Sequence, residues 1–361
     1  VQQIVDELAS TIAQAATNRT PLCIRGGGSK DFYGGPIRGE SLGVGAYRGI
    51  VDYEPSELVI TARGGTPLAE IEQALHERGQ LLAFEPPHYA DSVAATTGRA
   101  TIGGCISAGL SGPRRPYAGA ARDAVLGIRL LDGKANDLRF GGQVMKNVAG
   151  FDVARLLTGS LGTLGVILEV SLKVLPLPVA EATLRFEHSS AAAIALMNAW
   201  AGKPLPISAT AFNDGQLHVR LSGASAAVSA AAKTLGGERI AVTQAKRFWQ
   251  DIRDHTHAFF ATPGPLWRLS LKSTAPPLEL AGAELVEWGG ALRWLATNAD
   301  AAMVRAAAAA NGGHATLFRG GDKSVGVFHP LPPVLEKIHR NLKQTFDPSG
   351  VFNPGRLYRD W

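Results

Sequence analysis

Three clusters of glycine and small polar residues are where this chain could hold a ligand. The first is Arg25-Gly26-Gly27-Gly28-Ser29-Lys30, set directly after the apolar run Leu22-Cys23-Ile24. Successive glycines after a strand can turn their backbone N–H groups inward and form an anion-binding nest. Without Cβ atoms they also let a pyrophosphate approach the backbone closely. The competing reading is a plain glycine-rich turn. The cluster fits neither the P-loop pattern nor G-x-G-x-x-G, so an ordinary NAD-binding Rossmann domain is disfavoured. The second cluster is Thr101-Ile102-Gly103-Gly104-Cys105-Ile106-Ser107, followed by Ser111-Gly112. Its hydroxyls and small residues suit a backbone lining a flat or phosphorylated ligand, or else a close-packed buried turn. The third runs from Gly159 to Ile167, with glycines at 159, 162 and 165 leading into an apolar strand.

The elements that must position these clusters can be read in outline. Val1, Ile4, Val5, Leu8 and Ile12 fall at helical spacing and predict an amphipathic first helix rather than a leader. Strands are expected at 58–62, 125–131 and 165–174. A helix is expected from Thr66 as N-cap and Pro67 as first residue to a stop at Gly79. The prolines at 176 and 178 mark the best domain boundary. Beyond them the pattern predicts a strand at 183–188, a helix at 191–200 and a hairpin turning at Asn213-Asp214-Gly215, residue types suited to a tight primed turn. Helices at 225–235, 247–260 and 300–310 and strands near 267–271 and 285–288 complete an α+β domain, read as an antiparallel sheet backed by helices.

Composition removes several classes. The 361 residues are 45% hydrophobic and 19% charged, enough for a full core and two domains, so a disordered or coiled-coil chain is excluded. Two cysteines, Cys23 and Cys105, rule out a disulfide framework and any Cys-rich zinc or iron–sulfur site in this chain. No uncharged apolar run reaches the roughly 18 residues of a membrane helix. The net charge of +5 is dispersed, with no stripe for nucleic acid.

The order and spacing of the three clusters resemble the FAD-binding domain of the vanillyl-alcohol-oxidase/PCMH superfamily. Further segments are similar to one branch of it, the FAD-binding subunits of bacterial glycolate oxidase. They are Glu85-Pro86-Pro87-His88-Tyr89, Gly112-Pro113-Arg114-Arg115-Pro116 and the run from Phe140 through Lys146-Asn147-Val148 to Asp152. Trp288-Gly289-Gly290-Ala291-Leu292-Arg293-Trp294, Gly312-Gly313-His314-Ala315-Thr316 and Phe352-Asn353-Pro354-Gly355-Arg356 extend the match over nearly the whole chain.

The resemblance implies a PCMH-type domain of two α+β subdomains over 1–178. An α+β antiparallel-sheet cap follows over 179–310, then a segment, 311–361, that returns to the FAD domain. It implies FAD with Gly26, Gly27, Gly28, Ser29 and Lys30 around the pyrophosphate. Pro86 and Pro87 would lie along the flavin cavity, with Thr101, Gly103, Gly104, Ser107, Ser111 and Gly112 beside the isoalloxazine and ribityl parts. Gly165 and Ile167 would reach a ring edge, and Asn353 would bring back the tail. The implied activity is oxidation of glycolate or a similar small 2-hydroxy acid, with a second flavin subunit and an iron–sulfur subunit as partners. The implied location is the cytoplasm, peripheral to the inner membrane only through those partners. The alternatives are a free-standing FAD-dependent 2-hydroxy-acid dehydrogenase and a scaffold that binds FAD for stability alone.

Departures from the pattern matter too. No His lies within residues 1–75, so covalent FAD linkage at the first glycine loop is excluded, and Cys105 reads as a buried small hydrophobe. The expectation is non-covalent FAD. No metal site is expected: His255-Thr256-His257 reads as surface residues of a helix. Without a metal, the chain alone is expected to oxidise glycolate poorly. A carboxylate needs a guanidinium clamp and its hydroxyl a base. Arg268 and Arg293 are the clamp candidates carried forward, with Arg114, Arg115 and Arg319 behind them; His314 is the first candidate base and His88 the second.

Overall fold

The structure is a computed structural model describing residues 1–89, 100–142, 151–359 and 361. Residues 143–150 of the Phe140–Asp152 motif lie outside the described residues. Helix Gln2–Asn18 places Val5, Leu8, Ile12 and Ala15 on one buried face and ends at Arg19 in the left-handed region. That face packs on the parallel pair Leu22–Arg25 and Glu40–Gly43, and on Phe352 from the chain's far end. Each leucine or isoleucine so buried contributes roughly 1.5–3 kcal/mol.

Against this first unit stands a five-stranded antiparallel sheet. Its order is Ile50–Glu54, Val59–Arg63, Val166–Lys173, Val125–Leu131, Asp137–Gly141. Helices Leu68–His76 and Ile102–Ala108 bury their apolar sides on it. The expected Thr66 cap is absent: Thr66 Oγ instead donates to the Arg63 carbonyl at 2.7 Å and accepts from Gly49 N at 2.9 Å. Helix Ile102–Ala108 is capped by Thr101, whose Oγ accepts from Gly104 N. Gly103 is obligatory there, because a Cβ would sit 2.8 Å from the Gly64 carbonyl oxygen.

From Ala180 the chain builds a second, eight-stranded sheet whose pairings are all antiparallel. Its hairpin turns where expected, with Asp214 at φ 48° and Gly215 at φ 75°. The strand His314–Arg319 forms one edge of this sheet, so the cap reaches Arg319 rather than ending at 310. Helices Ser190–Ala201 and Ser225–Leu235 cover one part of the outer face, and Ala301–Ala310 covers another. The inner face packs on Tyr33, Tyr89, Leu110 and Leu161 of the first half.

Period-two alternation decides which residues face inward. Leu266 faces the first half while Trp267 and Leu269 face the helices, which puts Arg268 on the inner side. Leu285 is inward and Val286 outward, so Glu287 is inward. Leu292, Trp294 and Ala296 are inward and Leu295 outward, so Arg293 is outward. The helix expected at 247–260 runs instead from Val242 to Asp254, stopped by His255 at φ 58°.

Candidate functional site

Two of the clefts in this architecture hold residues of the sequence clusters. In the first, Gly26, Gly27, Gly28, Ser29 and Lys30 meet Thr101, Gly104, Ser107 and Asn353 around about 570 Å³ of empty space, its solvent mouth included. The loop comes from the first unit and the helix Ile102–Ala108 from the second, so the cleft is the seam between them. Gly28 holds φ 76°, which a β-branched residue resists. Asn353 fixes the seam: its Oδ1 accepts from Ile24 N at 2.8 Å and its Nδ2 donates to the Leu161 carbonyl at 2.6 Å.

Charge in this cleft is one-sided. Arg25, Lys30 and Arg356 line it against the single carboxylate of Asp31. Arg25 pairs with Asp31, and Arg356 donates to the carbonyls of Tyr33 and Gly35. Lys30 has no carboxylate within 4 Å among the described residues; its ammonium reaches Ser29 Oγ at 3.3 Å and lies 5.6 Å from the Tyr89 ring centre. Burial pulls its pKa down. A glycine nest with a partly buried cation that makes no carboxylate pair among the described residues fits a diphosphate such as that of FAD.

Not every expected residue lines this cleft. Gly103 packs on Gly64 instead. Gly165 and Ile167 turn to the sheet interior: a Cβ at Gly165 would stand 2.6 Å from the Leu131 carbonyl oxygen, and Ile167 is buried in the sheet's core. Pro86 and Pro87 are buried in the loop that leads to Tyr89. Cys105, wholly buried, is absent from the lining, and burial pushes its thiol up to about 11.

Ser111 and Gly112 line the second, smaller cleft, with Tyr89, His255, Arg268, Glu287 and Trp294. It sits under the inner face of the cap sheet. Arg268 lies 5.1 Å from the Trp288 ring centre and 5.9 Å from that of Trp294. Glu287 is 3% exposed and accepts from Trp294 Nε1 at 2.7 Å; burial raises its carboxyl to about 7. His255 is no surface residue. Its ring stacks on Phe260 at 3.7 Å, and its Nδ1 is sealed without a hydrogen-bond partner among the described residues. Burial, with Arg319 and Arg268 nearby, holds it well below the usual histidine range.

The other polar candidates separate. Arg293 is a correction: on the outer face and 0% exposed, it donates to the carbonyls of Gly290 and Ala275 and pairs with Glu284 at 3.2 Å. Those commitments remove it as a clamp. His314 shares the inner side with Arg268 but is exposed at the strand's first residue. Arg114 is tied to Glu85 and Glu181, and His88 to Glu72 at 2.9 Å, both away from the second cleft. Among the described residues no group of three metal-ligating side chains assembles.

Comparison with known proteins bears on the cofactor and the fold. A family model described as an FAD binding domain matches residues 3–141. Glycolate oxidase subunit GlcE of Escherichia coli (strain K12) is 49% identical over 353 residues, covering 98% of this chain and 97% of that protein. The chain belongs to the GlcE family. Glycolate oxidase subunit GlcD of Bacillus subtilis (strain 168) is 30% identical over 206 residues, 56% of this chain and 42% of GlcD. A solved alkyldihydroxyacetonephosphate synthase superposes with a TM-score of 0.64 over 98% of this chain and 76% of its own, at 15% identity, a likeness of fold. The fold is therefore the PCMH-type FAD-binding fold with an antiparallel-sheet cap, as expected, and FAD is the cofactor of this GlcE-family chain.

Sequence reasoning missed the burial of Glu287 and read His255 as a surface residue, and named Tyr89 only as part of a motif. A signal for Glu287 was present: the alternation in Ala283-Glu284-Leu285-Val286-Glu287 places an acid at an inward position beside apolar neighbours.

Proposed function

We propose that this chain is the FAD-carrying subunit of a glycolate oxidase, converting glycolate or a similar small 2-hydroxy acid to the 2-oxo acid. The carrying observation is that residues 26–30, Thr101, Gly104, Ser107 and Asn353, far apart in sequence, line one cation-rich cleft. FAD bound there supplies a two-electron acceptor. The chain's own part is to hold the diphosphate with backbone N–H groups and Lys30, and to shape the seam with Thr101 and Asn353. Attachment is non-covalent, because the first loop has no His and Cys105 lies off the cleft. Residues 1–178 work as the FAD-binding part and the following sheet as the cap.

With two cysteines the chain has no cluster of its own. Electrons therefore leave through partners: a second flavin subunit and an iron–sulfur subunit, in the cytoplasm or held by them at the inner membrane. Among the described residues no helix is long and apolar enough to cross a membrane. Tagged chain purified from its native cell tests the proposal. A yellow complex with those two subunits, whose flavin bleaches under anaerobic glycolate, is the expected result. A colourless preparation, or flavin that small 2-hydroxy acids leave oxidised, overturns it.

A further inference from the structure

We propose that Lys323, just beyond the cap's edge strand and outside the lining of the first cleft, is a positioning residue for the FAD diphosphate. Together with Arg356 it fixes the loop that presents the backbone nest. The inference rests on the reading of the first cleft as the FAD site.

The segment that follows the nest has its carbonyls taken one after another. Lys323 Nζ donates to Phe32 O at 2.6 Å and to Gly34 O at 2.8 Å. The Arg356 guanidinium donates to Asp31 O at 3.3 Å and to the carbonyls of Tyr33 and Gly35. From Asp31 to Gly35 the carbonyls thus alternate between two cations, one arriving from the cap side and one from the tail. Gly35 N–H returns a hydrogen bond to the Arg356 carbonyl at 2.8 Å. Carbonyls held in this way are kept from turning toward a bound anion, which they would repel.

That segment in turn sets the nest. Asp31 N–H donates to the Gly28 carbonyl at 3.2 Å, and Tyr33 N–H to the Lys30 carbonyl at 3.0 Å. In a planar trans peptide the C=O and N–H point opposite ways. Drawing the Gly28 carbonyl toward Asp31 therefore turns the Ser29 N–H the other way. The N–H groups of Gly28, Ser29 and Lys30 have no hydrogen-bond partner among the described residues, and all three residues line the cleft. Successive unsatisfied donors of this kind are filled by the oxygens of an anion.

Charge points the same way. Among the described residues both cations are met by carbonyl oxygens rather than carboxylates. Burial, and then the nearby Arg356, lower the Lys323 pKa, and a diphosphate in the cleft that Arg356 lines would relieve that repulsion. Lys323 also belongs to the cap side: Arg305 of helix Ala301–Ala310 donates to the carbonyls of Val325 and Gly326 at 3.0 and 2.6 Å. The loop therefore couples two places. Whatever holds the nest favours FAD, and FAD by the same amount favours whatever holds the nest.

The test titrates the deflavinated chain with FAD by flavin fluorescence and maps amide hydrogen exchange with and without FAD. Lys323→Met should weaken FAD binding by about tenfold or more, with the melting temperature of the FAD-free chain within about 2 °C of wild type. Lys323→Arg keeps the donors and should recover to within about threefold of wild type. Lys337→Met removes the same charge from an exposed site on helix Pro333–Phe346 and should stay within about twofold. In wild type, FAD should slow exchange about fivefold or more in residues 320–326 as well as in 26–35. In Lys323→Met the slowing at 320–326 should vanish while that at 353–357 persists. FAD affinity within about twofold of wild type in Lys323→Met overturns the inference. So does an equal loss in Lys337→Met, a Lys323→Arg protein no better than Lys323→Met, or exchange at 320–326 that is blind to FAD in wild type. A loss of affinity matched by a collapse of the FAD-free melting temperature overturns it too, since the lysine would then serve folding alone. Each of these leaves the FAD reading intact, whereas a wild-type chain that takes up no FAD sinks that reading itself.

Discussion

The two clefts are built by different means. The first is made of backbone: a run of glycines after one strand, a capped helix start, and an asparagine returning from the tail. Its parts are local, and each announces itself by residue type. The second is made of side chains on neighbouring strands, and Arg268 and Glu287 become neighbours only through sheet register. A cleft of backbone is written in contiguous sequence, while a cleft of opposed side chains is written in topology.

The comparison breaks most sharply at Gly28. Gly28→Val forces a β-branched residue to φ 76° and brings its Cβ to 2.8 Å from the Arg25 guanidinium. FAD affinity should fall by at least 100-fold, read by flavin fluorescence after gel filtration, with the circular dichroism spectrum kept. A folded Gly28→Val protein with stoichiometric FAD would reduce the first cleft to an ordinary turn.

The two faces of the cap sheet sharpen it next. Arg293 and Arg268 lie on adjacent strands, yet one faces the helices and the other the cleft. Arg293→Met should cost about 3 kcal/mol, because Glu284 and two carbonyls lose their partner. Urea unfolding measures that loss. FAD affinity of the folded Arg293→Met protein should stay within twofold of wild type, and a tenfold loss would mean that Arg293 serves more than the packing of the sheet.

This contrast explains what sequence could and could not tell. The strands at 125–131 and 165–174, the Asp214-Gly215 turn and the helix at 225–235 were all legible, because apolar runs and turn residues act locally. Arg293 and Arg268 looked equivalent as clamp candidates, since residue type alone cannot tell one sheet face from the other. The end of the helix at His255 was missed because the left-handed residue there is a histidine rather than glycine. Gly165 and Ile167 were drawn toward a ligand when their constraint is packing: the glycine makes room for the Leu131 carbonyl.

The smallest expected effect belongs to Cys105. It stands in the helix that Thr101 caps and that carries Gly104 and Ser107, yet its side chain points into the core beside Ile102 and Ile106 while those three residues line the cleft. A thiol becomes a flavin linker only if it is reactive as a thiolate, and burial holds this one up at about 11. Removing it deletes one buried sulfur and no hydrogen bond recorded among the described residues. Cys105→Ala should therefore cost about 1 kcal/mol and leave FAD content and affinity within twofold of wild type. Acid precipitation should release all the yellow colour into the supernatant from both proteins. Flavin held in the wild-type pellet and freed from that of Cys105→Ala would mean that the thiol reaches the cofactor, and that this helix does not divide its residues between core and cleft as its packing indicates.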